Sequence, residues 1–157
     1  MRRLILSVCS LAVMLTSTSA LAFDKEVAAK LNSMFSQLTP QVVAKKPCMV
    51  TVPQLLKMIK RGEKFVILDV RTPAEQRIYR ITLPNTLLIP MNEVFKEENL
   101  KKLPTDGKII VVCHTGARAI AVATGLRLAG FKNAYVLAGG MKAVAEKVGR
   151  KAYLFVK

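Results

Sequence analysis

The sequence predicts an α/β domain in which a mostly parallel β-sheet is flanked by helices on both faces. From Lys64 onward, short apolar runs alternate with helical patterns, as they do in β-α-β units. The apolar runs are continuous, which is typical of strands that are buried on both faces. Residues 23–157, which follow the N-terminal leader described next, are enough for one domain with its own core.

The first 22 residues have the pattern of an export signal. A basic start at Met1-Arg2-Arg3 precedes an apolar run from Leu4 to Leu15, and Ala20-Leu21-Ala22 fits a cleavage site. We therefore expect a signal peptide at residues 1–22, with cleavage near Ala22 and a periplasmic or secreted product. The alternative is an uncleaved anchor. The polar stretch before the cleavage site interrupts the apolar run, so we expect no stable membrane anchor.

A helix that is additional to the domain is predicted at residues 24–38, because apolar side chains recur there at helical spacing and the pattern ends before Pro40. We assign residues 23–47 to this helix and a linker. Its apolar face either packs on the domain or docks a partner.

The domain itself is predicted at residues 48–149, followed by a C-terminal tail at residues 150–157. Two of its helices begin with capping boxes that carry proline in the first turn, Thr51-Val52-Pro53-Gln54 and Thr72-Pro73-Ala74-Glu75. A third helix covers Ala117 to Ala129 and ends at Gly130. Five strands are predicted, at Met49-Val50, Phe65-Asp69, Thr86-Ile89, Lys108-Val112 and Ala134-Leu137.

The charge and the cysteine content limit the kinds of ligand that the protein is expected to bind. The chain has 25 Lys and Arg against 10 Asp and Glu, a formal net charge of +15 that attracts anions. Export, scattered lysines and the lack of a recognisable nucleic-acid module argue against nucleic acid as a partner. Beyond the leader the cysteines are Cys48 and Cys113, too few for a disulfide scaffold or a zinc site. We expect neither a metal nor a cofactor.

Cys113 is the candidate nucleophile. It follows the apolar strand Lys108-Val112 and precedes a helix, so it lies at the sheet edge where α/β proteins bind ligands. The N-H groups and dipole of the helix start favour the thiolate, and Arg118 adds a positive charge. Gly116 lets the intervening loop close tightly.

The segment Cys113-His114-Thr115-Gly116-Ala117-Arg118 resembles the active-site loop of the rhodanese family. The stretch Leu68 to Glu75 (LDVRTPAE) is similar to a second family motif, and Leu137 to Met141 is similar to its Gly-Gly turn. The resemblance covers roughly residues 48 to 145. It implies a rhodanese-like fold and a single-domain member of that sulfurtransferase family, and the leader at residues 1–22 adds the expectation that this member is exported.

The resemblance also implies a reaction. The Cys113 thiolate takes sulfane sulfur from a small anionic donor such as thiosulfate, holds it as a persulfide, and passes it to cyanide, a thiol or an acceptor protein. The backbone N-H groups of residues 114 to 118 would cradle the transferred sulfur. Phosphatases that share the fold have a seven-residue loop, so the six-residue loop here disfavours phosphatase or arsenate-reductase activity.

Other functions stay open beside this one. Cys113 could belong to a sulfur carrier with little turnover, or to a thiol-disulfide protein that pairs it with Cys48. Cys48 is otherwise apolar filler or a thiol for a partner.

Three further side chains have candidate roles near the site. Asp69 is expected to be structural. Arg71 either stabilises the loop or helps to bind the anion. His114 is expected to be an exposed loop residue and not a general base.

Overall fold

The structure of the protein is a computed structural model, which describes residues 23–46 and 48–148. The expected signal peptide at residues 1–22 and the expected tail at residues 150–157 lie outside the described residues. Within the described part of the chain, no helix is long and apolar enough to cross a membrane.

The described residues form a parallel five-stranded sheet in the order β1-β5-β4-β2-β3. Its strands are β1 (Met49–Val50), β2 (Phe65–Asp69), β3 (Thr86–Leu88), β4 (Lys108–Val112) and β5 (Ala134–Leu137). The predicted fold class is therefore confirmed. The third strand ends one residue earlier than predicted, although the Ile89 N-H still donates to the Asp69 carbonyl at 3.1 Å.

Helices cover both faces of the sheet. They are α1 (Lys25–Phe35), α2 (Pro40–Ala44), α3 (Val52–Lys60), α4 (Pro73–Ile78), α5 (Glu97–Leu100), α6 (Ala117–Leu128) and α7 (Gly140–Val148). Both predicted capping boxes form, at Thr51 with Gln54 and at Thr72 with Glu75. The short helices α2 and α5 and the last helix, α7, were not predicted from the sequence.

The core is divided by the sheet into two apolar clusters. Side chains of β2 and β4 alternate between them, so Val111 faces α6 while Val112 faces α3 and α7. Cys113 belongs to the cluster beneath α6. The strand that carries it is thus packed on both faces, as its continuous apolar sequence predicts.

The additional helix α1 is confirmed, but it lies on the surface. Among its described residues none is fully buried, and Phe35 is 52% exposed. Between α1, α2 and α6 lies a cavity of about 590 Å³, lined by Met34, Leu38, Ile120 and Cys48 among others. The helix covers this side of the domain without entering its core.

Candidate active site

Cys113 lies at the carboxyl end of the central strand β4, and its side chain is 1% exposed. Its Sγ accepts a hydrogen bond from the Gly116 N-H at 3.1 Å. Gly116 has φ +117° and is the residue before α6, a conformation that side chains rarely adopt. The loop of residues 113–118, which we call the Cys113 loop, therefore turns the start of α6 toward the thiol, as predicted.

The Cys113 loop offers mostly main-chain donors. No side chain within the described residues caps the start of α6, so its first N-H groups stay available for an anion. His114, Thr115 and Ala117 are exposed, whereas Gly116 is buried. The loop can thus stabilise negative charge at the sulfur without a charged side chain.

The start of α7 is hydrogen-bonded to the main chain of the Cys113 loop. The Met141 N-H donates to the Cys113 carbonyl at 2.9 Å, and the Lys142 N-H donates to the His114 carbonyl at 3.0 Å. A side chain at Gly140 would lie within 2.6 Å of the His114 oxygen. Sequence reasoning did not assign this role to α7, and the Gly139-Gly140 pair was the signal for it.

Arg118 is paired with a carboxylate that the sequence analysis identified only as a helix cap. Its Nη1 and Nη2 donate to the two oxygens of Glu75 at 2.8 and 2.7 Å. This bond holds the pKa of Glu75 far below its usual range, with further help from Thr72. The pKa of Arg118 is raised, first by Glu75 and then by the neighbouring Cys113. The positive charge expected at Arg118 is therefore largely balanced.

Asp69 and Arg71 form a buried pair beside the loop. The Arg71 Nε and Nη2 donate to Asp69 at 3.0 and 2.6 Å, and Nη2 also donates to the Tyr79 carbonyl at 2.6 Å. The side chain of Arg71 is 3% exposed and that of Asp69 is 2% exposed. Gln76 donates to the carbonyl oxygens of both residues. These contacts favour the stabilising role of Arg71 over anion binding.

Two apolar clefts flank the Cys113 loop. The α7 cleft, of about 440 Å³, has the apolar walls Ile78, Met141 and Ala145. The α6 cleft, of about 490 Å³, has the apolar walls Val70, Pro90, Met91, Phe95, Ala121 and Val122. Glu75 lines the first and Arg118 the second. Their ion pair therefore separates the two clefts.

Cys48 is remote from Cys113. It precedes β1, which pairs with β5, and β5 pairs with β4, so two strand spacings of about 4.8 Å separate the cysteines laterally. Because a disulfide needs Cα atoms within about 7 Å, this fold does not bring Cys48 and Cys113 into bonding range. Both thiols are free. The geometry supports neither a resolving role for Cys48 nor the thiol-disulfide alternative.

Comparison with known proteins agrees with this geometry. Residues 51–147 match the family described as Rhodanese-like domain. The probable adenylyltransferase/sulfurtransferase MoeZ of Mycobacterium tuberculosis is 33% identical over 105 residues, 67% of this chain but only 26% of MoeZ. This chain thus spans about a quarter of that relative. A sulfurtransferase of Allochromatium vinosum is 30% identical over 83 residues, 53% of this chain and 74% of the relative.

A solved structure shows the same fold. The crystal structure of a rhodanese-related protein from Thermoplasma volcanium matches with a TM-score of 0.54 and 28% identity, over 63% of this chain and 91% of that one. The named relatives support sulfur transfer as the general class of chemistry. The matched segment covers more than half of the chain and contains the Cys113 loop and every strand except β1. The protein therefore belongs to the rhodanese-like domain family.

Proposed function

We propose that the protein is a sulfurtransferase of the thiosulfate sulfurtransferase type, which carries sulfane sulfur as a persulfide on Cys113. The observation that carries the proposal is the position of the Cys113 Sγ, 3.1 Å from the Gly116 nitrogen at the start of α6. A thiolate there faces main-chain donors that would stabilise both its own charge and that of a persulfide.

The first half-reaction loads the cysteine. The thiolate of Cys113 attacks the outer sulfur of thiosulfate, and a new S-S bond forms between them. The S-S bond of thiosulfate breaks, and its electron pair leaves with sulfite. The Cys113 loop lowers the barrier because the Gly116 N-H is already oriented toward the sulfur.

The second half-reaction removes the sulfur from Cys113. Cyanide or a thiol attacks the outer sulfur of the persulfide, the Cys113 S-S bond breaks, and its electron pair returns to the Cys113 thiolate. Cyanide leaves as thiocyanate, and a thiol leaves as a new persulfide. The residues proposed to act are Cys113 as nucleophile and the backbone of His114, Thr115, Gly116, Ala117 and Arg118 as cradle, with no cofactor.

A steady-state assay with thiosulfate and cyanide tests this proposal. We expect thiocyanate from the wild type and none above background from Cys113→Ser. The matched control is Cys48→Ser, which removes the distant thiol and should keep full activity. Activity that survives in Cys113→Ser would contradict the proposal.

A second candidate is a sulfur carrier that turns over small donors poorly. It is favoured by the pairing of Arg118 with Glu75, which lowers the positive charge that a small dianion would meet. Ile78, which is 83% exposed beside the loop, could contact an acceptor protein. A carrier would hold sulfur on Cys113 yet release thiocyanate slowly, and it would unload rapidly only onto a protein thiol.

We also propose that the protein is exported to the periplasm or secreted. The support is the basic start, apolar run and Ala20-Leu21-Ala22 of the first 22 residues. The intact mass of the exported material should correspond to a chain that begins at Phe23. A mass that still includes Met1 would contradict cleavage.

A further inference from the structure

The two capping boxes at the starts of α3 and α4 differ in one side-chain group, which is an amide in α3 and a carboxylate in α4. In both, a threonine hydroxyl accepts from the backbone N-H three residues on, and the side chain of that residue accepts from the threonine N-H. Gln54 fills that position in α3 and Glu75 fills it in α4. An amide is therefore sufficient for the box. The carboxylate at position 75 has a second task, which is its ion pair with Arg118.

That ion pair changes the charge beside Cys113. Arg118 is the one cation within the Cys113 loop, and both of its terminal nitrogens donate to Glu75. The other cations that line the clefts also face carboxylates: Arg71 is bonded to Asp69, and Lys142 lies 4.0 Å from Glu146. Arg77 and Arg80 line neither cleft. The immediate surroundings of the sulfur are close to neutral, although the whole chain carries +15.

The clefts on either side of the ion pair are apolar. Met91 and Phe95, which are 40% and 47% exposed, line the α6 cleft, and Ile78 lines the α7 cleft. Thiosulfate has no apolar part that could contact these walls. A donor with an organic group could bury that group there while its sulfur meets Cys113.

We infer that Glu75 is a specificity-determining residue, whose pairing with Arg118 makes the site prefer singly charged organic persulfides to dianionic donors such as thiosulfate. The inference rests on the proposed function. With such a donor, the Cys113 thiolate attacks the terminal sulfur of the persulfide. The donor S-S bond breaks, its electron pair leaves with the donor's other sulfur as a thiolate, and that thiolate takes a proton from water.

The test measures kcat/KM for two donors, thiosulfate and benzyl persulfide released in situ, in the wild type and Glu75→Gln. The substitution keeps the capping box, as Gln54 does in α3, but removes one negative charge. Because a dianion gains more than a monoanion from that loss, we expect the thiosulfate-to-persulfide ratio to rise roughly fivefold or more. The change should appear chiefly as a lower KM for thiosulfate.

Glu63→Gln is the matched control. Glu63 is as exposed as Glu75, at 31%, and is also paired, with Lys108 at 3.0 Å. It precedes β2, whereas the candidate site lies beyond the carboxyl end of that strand. The five residues of β2 place the two ends about 17 Å apart. At about 0.1 M salt this distance exceeds the screening length, so the donor ratio should stay at the wild-type value.

The outcomes are distinct. An unchanged ratio in Glu75→Gln, or an equal rise in Glu63→Gln, would overturn the inference and leave the proposed function intact. A lower ratio would overturn it by showing that Glu75 orients Arg118 as an oxyanion ligand. If neither donor places sulfur on Cys113 of the wild type, the proposed function fails and this inference fails with it.

Discussion

At the scale of single residues, the Cys113 loop is fixed by the absence of a side chain at Gly140. This residue has φ +56°, and an added Cβ would press on the carbonyl oxygens of both Cys113 and His114. Those same residues accept the hydrogen bonds from Met141 and Lys142. The position of Cys113 therefore depends on a close main-chain contact with α7.

Gly140→Ala should displace the loop. We expect sulfur transfer to fall on the order of 100-fold, because small misplacements of a nucleophile are costly. Gly62→Ala is the matched control: Gly62 has φ +64°, but nothing lies within 4 Å of its added Cβ. It should cost about 1 kcal/mol of stability from backbone strain alone. Kinetics and urea denaturation measure both effects, and equal activity losses in the two variants would contradict the account.

The Asp69–Arg71 pair predicts a large effect on stability. Asp69→Asn leaves the buried Arg71 guanidinium without its counter-charge, so the free energy of unfolding should fall by about 3 kcal/mol. Asp106→Asn breaks the exposed pair with Lys64 and should leave stability unchanged within error. Chemical denaturation compares the two, and a small effect of Asp69→Asn would show that Arg71 finds another partner.

At the scale of elements, Glu75 links the starts of two helices. It closes the capping box of α4 and bonds the first turn of α6 through Arg118. Its pKa in the folded protein is far below the value of about 4.3 that it has in an unfolded chain. As the pH falls, the unfolded chain therefore takes up the proton first, and the stability from this pair is lost below about pH 4.

Glu75→Gln should accordingly change the response to acid. At about pH 6 the variant should be less stable than the wild type, and this difference should shrink at about pH 3, where the wild type has lost part of its advantage. Urea denaturation at both values measures it. The same stability difference at both values would contradict a strongly depressed pKa of Glu75.

Local signals predicted the elements well, and long-range contacts were the part that sequence could not supply. The boxes at Thr51 and Thr72 involve neighbours in sequence, so both helix starts were predictable. The helices α2 and α5 are too short to show a helical period. The Glu75–Arg118 pair joins residues 43 apart, and no local pattern reveals it. The position of Cys113 between β4 and α6 was predictable because its strand, glycine and helix are contiguous.

At the scale of the whole molecule, the parallel sheet brings the site together. The strand ends that precede the candidate site residues lie at one edge of the sheet, since β2 and β4 pair in parallel with Asp69 beside Val112. The Asp69–Arg71 pair, the start of α4 and the Cys113 loop thus meet in space although they are distant in sequence. The order β1-β5-β4-β2-β3 also keeps Cys48 two strands away, which sequence spacing could not indicate.

The central claim is that Cys113 carries the sulfur, and peptide mass spectrometry tests it most directly. Protein is incubated with thiosulfate or with an organic persulfide, digested without reductant and mapped. We expect a gain of one sulfur atom on the peptide that contains Cys113, its absence in Cys113→Ser, and its loss after cyanide is added. No gain with either donor, or a gain on Cys48 instead, would contradict it.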